Sequence, residues 1–269
     1  PPRSTLFPYT TLFRSGSCSV GLGTYGCGGL SSSGDGSFTA STTWLRADYL
    51  TTNDAVLSVA AHEGGHNLGL NHASSLDYGA EALGPFGSAG THSEYENRYS
   101  IMGISWRVGN AFNLGHYTAN HKAELGWLSL GDGYQQVSTA GSYSLLPAET
   151  GSAGTRALRV ERGAGSNKWL WLEYRRPLGL FDTNLASYSA TAYSGALIHY
   201  EDPASSYPGY ARVLDFHPSA TPNNFSDAVL RAGESWADPY SLLRLFVDNA
   251  TTTSAAVRVQ YDTPCAVLN

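Results

Sequence analysis

Eleven consecutive residues, His62 to His72, constrain this chain more than any other stretch. They read HEGGHNLGLNH and fit the pattern H-E-x-x-H-x-x-G-x-x-H. Residues four apart lie on one face of a helix, so His62 and His66 can offer two imidazole nitrogens to one metal ion. A catalytic zinc site uses three protein ligands and leaves a fourth position open. The pattern therefore predicts a helix that carries two zinc ligands, with His72 as the third.

Two further positions of the motif have separate tasks. A straight helix would carry residue 72 about 9 Å beyond His66, at about 1.5 Å per residue, so the chain has to turn back. Gly69 stands where that turn is needed, and glycine enters left-handed backbone conformations without a side-chain penalty. Glu63 follows the ligand His62 in the sequence, but its side chain leaves the helix in a different direction. Its carboxylate can therefore act as a general base on an activated water. The motif thus predicts a hydrolytic zinc site with Glu63 as the catalytic residue.

The residues before the motif predict a strand and then the helix. Residues 51–54, TTND, supply helix caps, and an apolar run from residue 55 extends the helix to an end near Gly69. Residues 37–48 have the β-branched and aromatic content of a strand. That strand is either an exposed edge that pairs with an extended substrate or a purely structural hairpin strand.

The residues after the motif offer weaker candidates. Residues 73–99 predict an irregular loop with at most a short helix. Within it, Asp77 and Tyr78 either orient the third ligand or form an ordinary solvated pair. His116 and His121 are interpreted as structural or surface residues, because the three-histidine site is already complete.

Met102 is the sole methionine of the chain and follows His72 by thirty residues, within the sequence YSIMG. A long zinc motif followed by S-x-M-G resembles the metzincin metallopeptidases, in which such a methionine occupies a turn beneath the metal. HEGGHNLGLNHA, YSIMG and residues 112–128, FNLGHYTANHKAELGWL, are similar to the gametolysin-like branch of secreted metalloendopeptidases. The similarity covers most of the chain from about residue 28. It implies a Zn²⁺-dependent endopeptidase in which Met102 forms an apolar floor under the three imidazoles.

The chain departs from the astacin and serralysin pattern at one position. Those proteins have a tyrosine two residues after the methionine, whereas Ile104 stands here. A tyrosine ligand or oxyanion donor is therefore not predicted from that position. Tyr95 or Tyr99 could substitute, but both are interpreted as packed aromatic residues.

Composition excludes several classes of protein. The formal net charge is −6 and there is no basic run, which disfavours nucleic-acid binding. No stretch approaches 18 uninterrupted apolar residues, so no membrane span is predicted. Cys18 and Cys27 could close a small loop, with Cys265 free or paired with a missing residue. Sparse charge and a potential disulfide favour an extracellular location.

The expected fold class is α+β. Residues 1–15, PPRSTLFPYTTLFRS, resemble a translated sequencing adapter, so the native sequence is expected to begin near Gly16 without its upstream strands or signal peptide. Residues 16–131 are expected to form an incomplete metzincin-like catalytic domain, with the active-site helix, a partial sheet and an irregular C-terminal subdomain. Residues 132–269 are expected to form an antiparallel β-sandwich.

The sandwich is predicted from short β-branched or aromatic segments separated by turn residues, several of which alternate apolar and polar positions. The predicted strands are residues 143–146, 157–161, 169–175, 196–200, 211–216, 242–247 and 255–261.

The predicted function is hydrolysis of a protein or peptide substrate bound in extended form, with the oligomeric state left open. The alternative is a non-catalytic secreted module that binds protein or glycan and keeps a relic or structural zinc site. Structural zinc sites usually fill all four positions with cysteine or histidine, whereas three ligands are found here. An intact Glu63 also argues against a relic.

Overall fold

The computed structural model describes residues 20–32, 34, 36–104, 107–108, 111–218 and 224–263. The adapter-like segment and the cysteines at positions 18 and 265 lie outside these ranges, so their predicted roles stay predictions. Cys27 is exposed. By its internal contacts the chain divides into two compact units, Pro1–Leu70 and Asn71–Asn269.

The first unit places short strands beside one helix. Strand β1 (Gly21–Gly23) pairs antiparallel with β4 (Thr43–Leu45), and both contact helix α1 (Asn53–Asn67). Strands β2 (Gly28–Ser32) and β3 (Gly36–Ala40) form a separate antiparallel hairpin. The segment predicted as one strand, residues 37–48, thus contributes to two strands in different sheets.

Helix α1 begins and ends where its sequence predicts. The hydroxyl oxygen of Thr52 accepts a hydrogen bond from the Ala55 N–H at 3.3 Å, which satisfies one of the free donors of the first turn. Asp54 lies in that turn, where a negative charge suits the helix dipole. After Asn67 the chain reverses at Gly69, whose φ of +95° is left-handed.

The second unit is mainly β structure. Its helices are α2 (Ala119–Glu124) and α3 (Leu185–Tyr188), with a 3-10 turn at Phe225–Asp227. Its strands are β5 (Ala73–Asp77), β6 (Thr91–Ser93), β7 (Arg107–Val108), β8 (Ala111–Phe112), β9 (Tyr134–Val137), β10 (Gly141–Leu145), β11 (Ala157–Glu161), β12 (Trp169–Tyr174), β13 (Gly195–Glu201), β14 (Ala211–Val213), β15 (Leu230–Arg231), β16 (Ser235–Ala237), β17 (Leu243–Ala250) and β18 (Ala255–Tyr261).

Two sheets enclose the main core of this unit. The larger has the order β6-β5-β14-β13-β12-β11-β9, with β15 beside β13, and the smaller has the order β10-β18-β17-β16. The larger sheet contributes Leu158 and Leu172 to the same apolar cluster that receives Leu245 and Val257 from the smaller. Strands β17 and β18 bury alternate residues, as expected when one face of a sheet covers a core. The α+β class is confirmed at this level.

Two expectations for this region were wrong in part. Pairing is not antiparallel throughout, because β9 pairs with β11 in parallel. Residues 73–99 also include strands β5 and β6, and β5 lies parallel to β14 in the larger sheet. The sequence of β5, ASSLD, does not predict a buried strand, because two of its buried residues are the polar Ser74 and Ser75. Pairing with a distant strand, not local pattern, places this segment in the sheet.

The predicted domain boundary after residue 131 differs from the division by contacts. The larger sheet combines β5 and β6, which precede that residue, with strands that follow it. A local turn signal cannot report whether the strands on its two sides share a sheet. The predicted strands at residues 157–161 and 255–261 coincide with β11 and β18.

Candidate metal centre

Three histidines come together as the sequence pattern predicts. The ligand nitrogens of His62, His66 and His72 lie within 4.8 Å of one another, and each residue is half-buried. Tetrahedral zinc, at about 2.0–2.1 Å from each nitrogen, would hold them about 3.4 Å apart, which small side-chain rotations can reach. Among the described residues, no fourth histidine, cysteine or carboxylate belongs to this group. The donor set therefore fits one zinc ion with an open coordination position.

The helix orients the first two rings. The ring centroids of His62 and His66 are 5.0 Å apart and the ring planes are nearly perpendicular, at 82°. Nδ1 of His66 lies 2.8 Å from the carbonyl oxygen of Leu70. Because a carbonyl oxygen only accepts, this nitrogen carries the proton and Nε2 keeps its lone pair for a metal.

A carboxylate fixes the third ring in the same way. Nδ1 of His72 lies 2.5 Å from Oε1 of Glu94, so the carboxylate accepts the proton of Nδ1 and leaves Nε2 for the metal. The Tyr95 ring packs on the imidazole with centroids 3.9 Å apart. Glu94 is a candidate orienting residue that sequence reasoning missed. A carboxylate twenty-two positions from the ligand carries no local signal.

The two residues proposed as alternative orienting groups have other partners. Asp77 Oδ1 accepts a hydrogen bond from the Gly79 N–H at 2.6 Å. The Tyr78 hydroxyl donates to the carbonyl oxygen of Ser88 at 3.5 Å. Neither contact orients the third ligand, but the interpretation as a solvated loop pair was also wrong, because Asp77 ends strand β5 and the half-buried Tyr78 packs against the main core.

Glu63 lies buried under strand β1, with 7% of its surface exposed. Burial raises the pKa of its carboxyl group, while nearby His66 and a hydrogen bond from the Gly23 backbone act to lower it. A side-chain carbon at Gly21 would overlap Oε1 of Glu63, and one at Gly23 would overlap the Glu63 carbonyl oxygen. The two glycines are therefore required for β1 to pass this close to the helix.

Met102 is fully buried in a turn that is hydrogen-bonded to Ala73, the residue after the third ligand. Its carbonyl oxygen accepts a hydrogen bond from the Ala73 N–H at 2.9 Å, and its own N–H donates to Oγ of Ser100 at 3.2 Å. A side-chain carbon at Gly103 would overlap the Asn97 carbonyl oxygen, so the glycine of YSIMG is a steric requirement. These contacts explain how the S-x-M-G turn is held beside Ala73.

The remaining candidates are packing residues. His121 is fully buried, and His116 has its pKa lowered to about 3 by burial and by nearby cations. Neither belongs to the three-histidine group. Tyr99 is fully buried and its hydroxyl donates to the Phe225 carbonyl oxygen at 2.7 Å, which confirms it as a packed aromatic.

Comparison of the chain with protein family models, curated proteins and solved structures found no match. The resemblance to metzincins therefore rests on the motifs themselves. No helix within the described ranges is long and apolar enough to cross a membrane.

Proposed function

We propose that this chain is a secreted zinc endopeptidase of the metzincin type, similar to gametolysins, that hydrolyses peptide bonds of extracellular proteins. The observation that carries the proposal is the convergence of His62, His66 and His72. Two of the three rings have Nδ1 hydrogen-bonded to an acceptor, which presents Nε2 as a ligand. Three imidazoles and an adjacent glutamate form the donor set of a hydrolytic site, whereas a structural site would need a fourth ligand.

Zinc bound by these imidazoles would lower the pKa of a water to about 7 and polarise the scissile carbonyl. Glu63 accepts the proton of the attacking water and returns it to the leaving amine. Burial supports this role, because a raised pKa lets the carboxyl group hold the proton between the two steps. The substrate binds in extended form, and β4 (Thr43–Leu45), which pairs with β1 alone in its two-stranded sheet, is the proposed edge for it.

The test compares zinc content with proteolysis. Glu63→Gln should bind zinc as the unmodified chain does, but should cleave casein at least about 10²-fold more slowly because the general base is lost. Glu124→Gln is the matched control, since Glu124 is an exposed carboxylate outside the three-histidine group. Near-normal cleavage by Glu63→Gln would exclude Glu63 from the mechanism.

Zinc content also separates the competing interpretations. His72→Ala should lower zinc retention, and an unchanged zinc content would refute its role as third ligand. A chain that holds one zinc ion but cleaves neither casein nor gelatin would instead support a non-catalytic binding module with a structural or relic site.

A further inference from the structure

A concave surface lies in the second unit, formed by loops between its strands. This groove has a volume of about 650 Å³ and is lined by the β5–β6 loop, the β9–β10 turn, the β11–β12 turn and the β16–β17 turn. Its volume falls within the usual range for small-molecule sites. Loops at one end of a rigid β scaffold are also common places for binding residues.

The walls of the groove expose large apolar side chains. Phe86 is 40% exposed, Tyr240 37% and Leu242 41%. Single exposed apolar residues are ordinary, but three that line one concavity form a surface that water solvates poorly.

A buried ion pair holds these walls in place. Arg162 is fully buried and pairs with Asp238 at 2.7 Å, and its guanidinium carbon lies 4.4 Å from the centroid of the Phe86 ring. The cation packs over that ring, and 40% of Phe86 stays exposed to a ligand. Asp238 also accepts hydrogen bonds from the Tyr240 N–H at 3.1 Å and the Ser241 hydroxyl at 2.7 Å. The same carboxylate therefore fixes both sides of the groove before any ligand arrives, which lowers the entropic cost of binding.

The polar groups of the groove point to an uncharged ligand. Among the described residues that line it, none carries a charged side chain. A charged ligand would lose hydration here without gaining an ion pair. The hydroxyls of Tyr240 and Tyr261 already donate to Glu81 and to the Glu161 carbonyl oxygen, so they are not free to donate to peptide carbonyls. Exposed hydroxyls at positions 138 and 139, which both donate and accept, supply the remaining polar contacts.

We propose that this groove binds a neutral saccharide. A sugar ring offers apolar C–H faces to Phe86 and Tyr240 and hydroxyl groups to Ser138 and Thr139. A proline-rich peptide would also fit an aromatic groove, but its carbonyl groups only accept hydrogen bonds, so it would use only the donor capacity of the Ser138 and Thr139 hydroxyls, whereas sugar hydroxyls use both their donor and their acceptor capacity. None of the residues that line the groove belongs to the three-histidine group, so binding there does not depend on catalysis.

Affinity electrophoresis in gels that contain polysaccharide tests the proposal on the full chain. Hydroxyethyl cellulose, glucomannan and laminarin serve as neutral polymers, and carboxymethyl cellulose is the charged counterpart of the first. At least one neutral polymer should retard the chain, and carboxymethyl cellulose should retard it less than hydroxyethyl cellulose. Absence of retardation on all three neutral polymers, or preference for the charged polymer, would overturn the proposal.

Variants then locate the binding. Phe86→Ala and Tyr240→Ala should each weaken retardation by at least about fivefold, as is typical of aromatic anchor residues. Trp127→Ala is the matched control, because Trp127 is 54% exposed and does not line the groove. Gly163→Leu keeps every aromatic ring but fills the space, since a side-chain carbon there would lie 3.4 Å from Phe86 Cζ and 3.7 Å from Ser241 Cβ. Unchanged retardation of all three groove variants would overturn the site, as would binding of a proline-rich decapeptide in preference to every neutral polymer.

Discussion

Removal of the Glu94 carboxylate should weaken zinc binding without touching a ligand. Oε1 of Glu94 lies 2.5 Å from Nδ1 of His72, and the side-chain exposures of the pair are 48% and 16%. Loss of such an outer partner typically lowers metal affinity about 10–100-fold. Because nearly half of the Glu94 side chain is solvated, water replaces part of the lost hydrogen bond. We therefore expect Glu94→Ala to weaken zinc affinity by about tenfold, which is about 1.4 kcal/mol.

Competition with a chromophoric chelator measures this effect. Glu94→Gln should have an intermediate affinity, because its amide oxygen still accepts the Nδ1 proton but carries no charge. Glu96→Ala is the matched control, since Glu96 lies two positions away and pairs with Arg98 at 2.9 Å instead of with a histidine. Equal zinc affinities for the unmodified chain and for Glu94→Ala would refute the argument that this carboxylate orients the third ligand.

Three further changes have defined outcomes. Gly21→Ala should slow proteolysis by about 10²-fold at unchanged zinc content, because the new methyl group displaces the Glu63 carboxylate; unaltered cleavage would contradict this. Asp238→Ala should lower the free energy of unfolding in urea by about 3–5 kcal/mol, since it leaves Arg162 buried and unpaired; a loss below about 1 kcal/mol would count against the pair. Burial lowers the pKa of His199 to about 3, below its unfolded value of about 6.5, so the stability present above pH 6.5 is lost as the pH falls. His199 should account for a loss of about 2 kcal/mol at pH 5, so the decline should be smaller by that amount in His199→Gln, in which His116 still contributes its own loss; an equally steep decline in that variant would disprove it.

Local patterns were sufficient for the elements whose stability is local. The caps at residues 51–54, the apolar run after them and Gly69 predicted helix α1 and its end, because hydrogen bonds within a helix join neighbours in the sequence. Alternating segments predicted β11 and β18 for a similar reason, since one face of each strand is buried. The spacing of the histidines predicted their convergence, because four residues along a helix and a left-handed turn determine the geometry.

Features that depend on distant residues were outside the reach of the sequence. The ring of His72 is fixed by Glu94, and strand β5 enters the larger sheet through β14, far along the chain. The burial of Glu63 under Gly21 likewise joins residues that no local pattern connects. The sequence by itself thus determined which side chains can form a metal site and where helix α1 and strands β11 and β18 lie. Only the tertiary structure decided which groups orient and bury that site, because those contacts arise when segments far apart in the chain pack together.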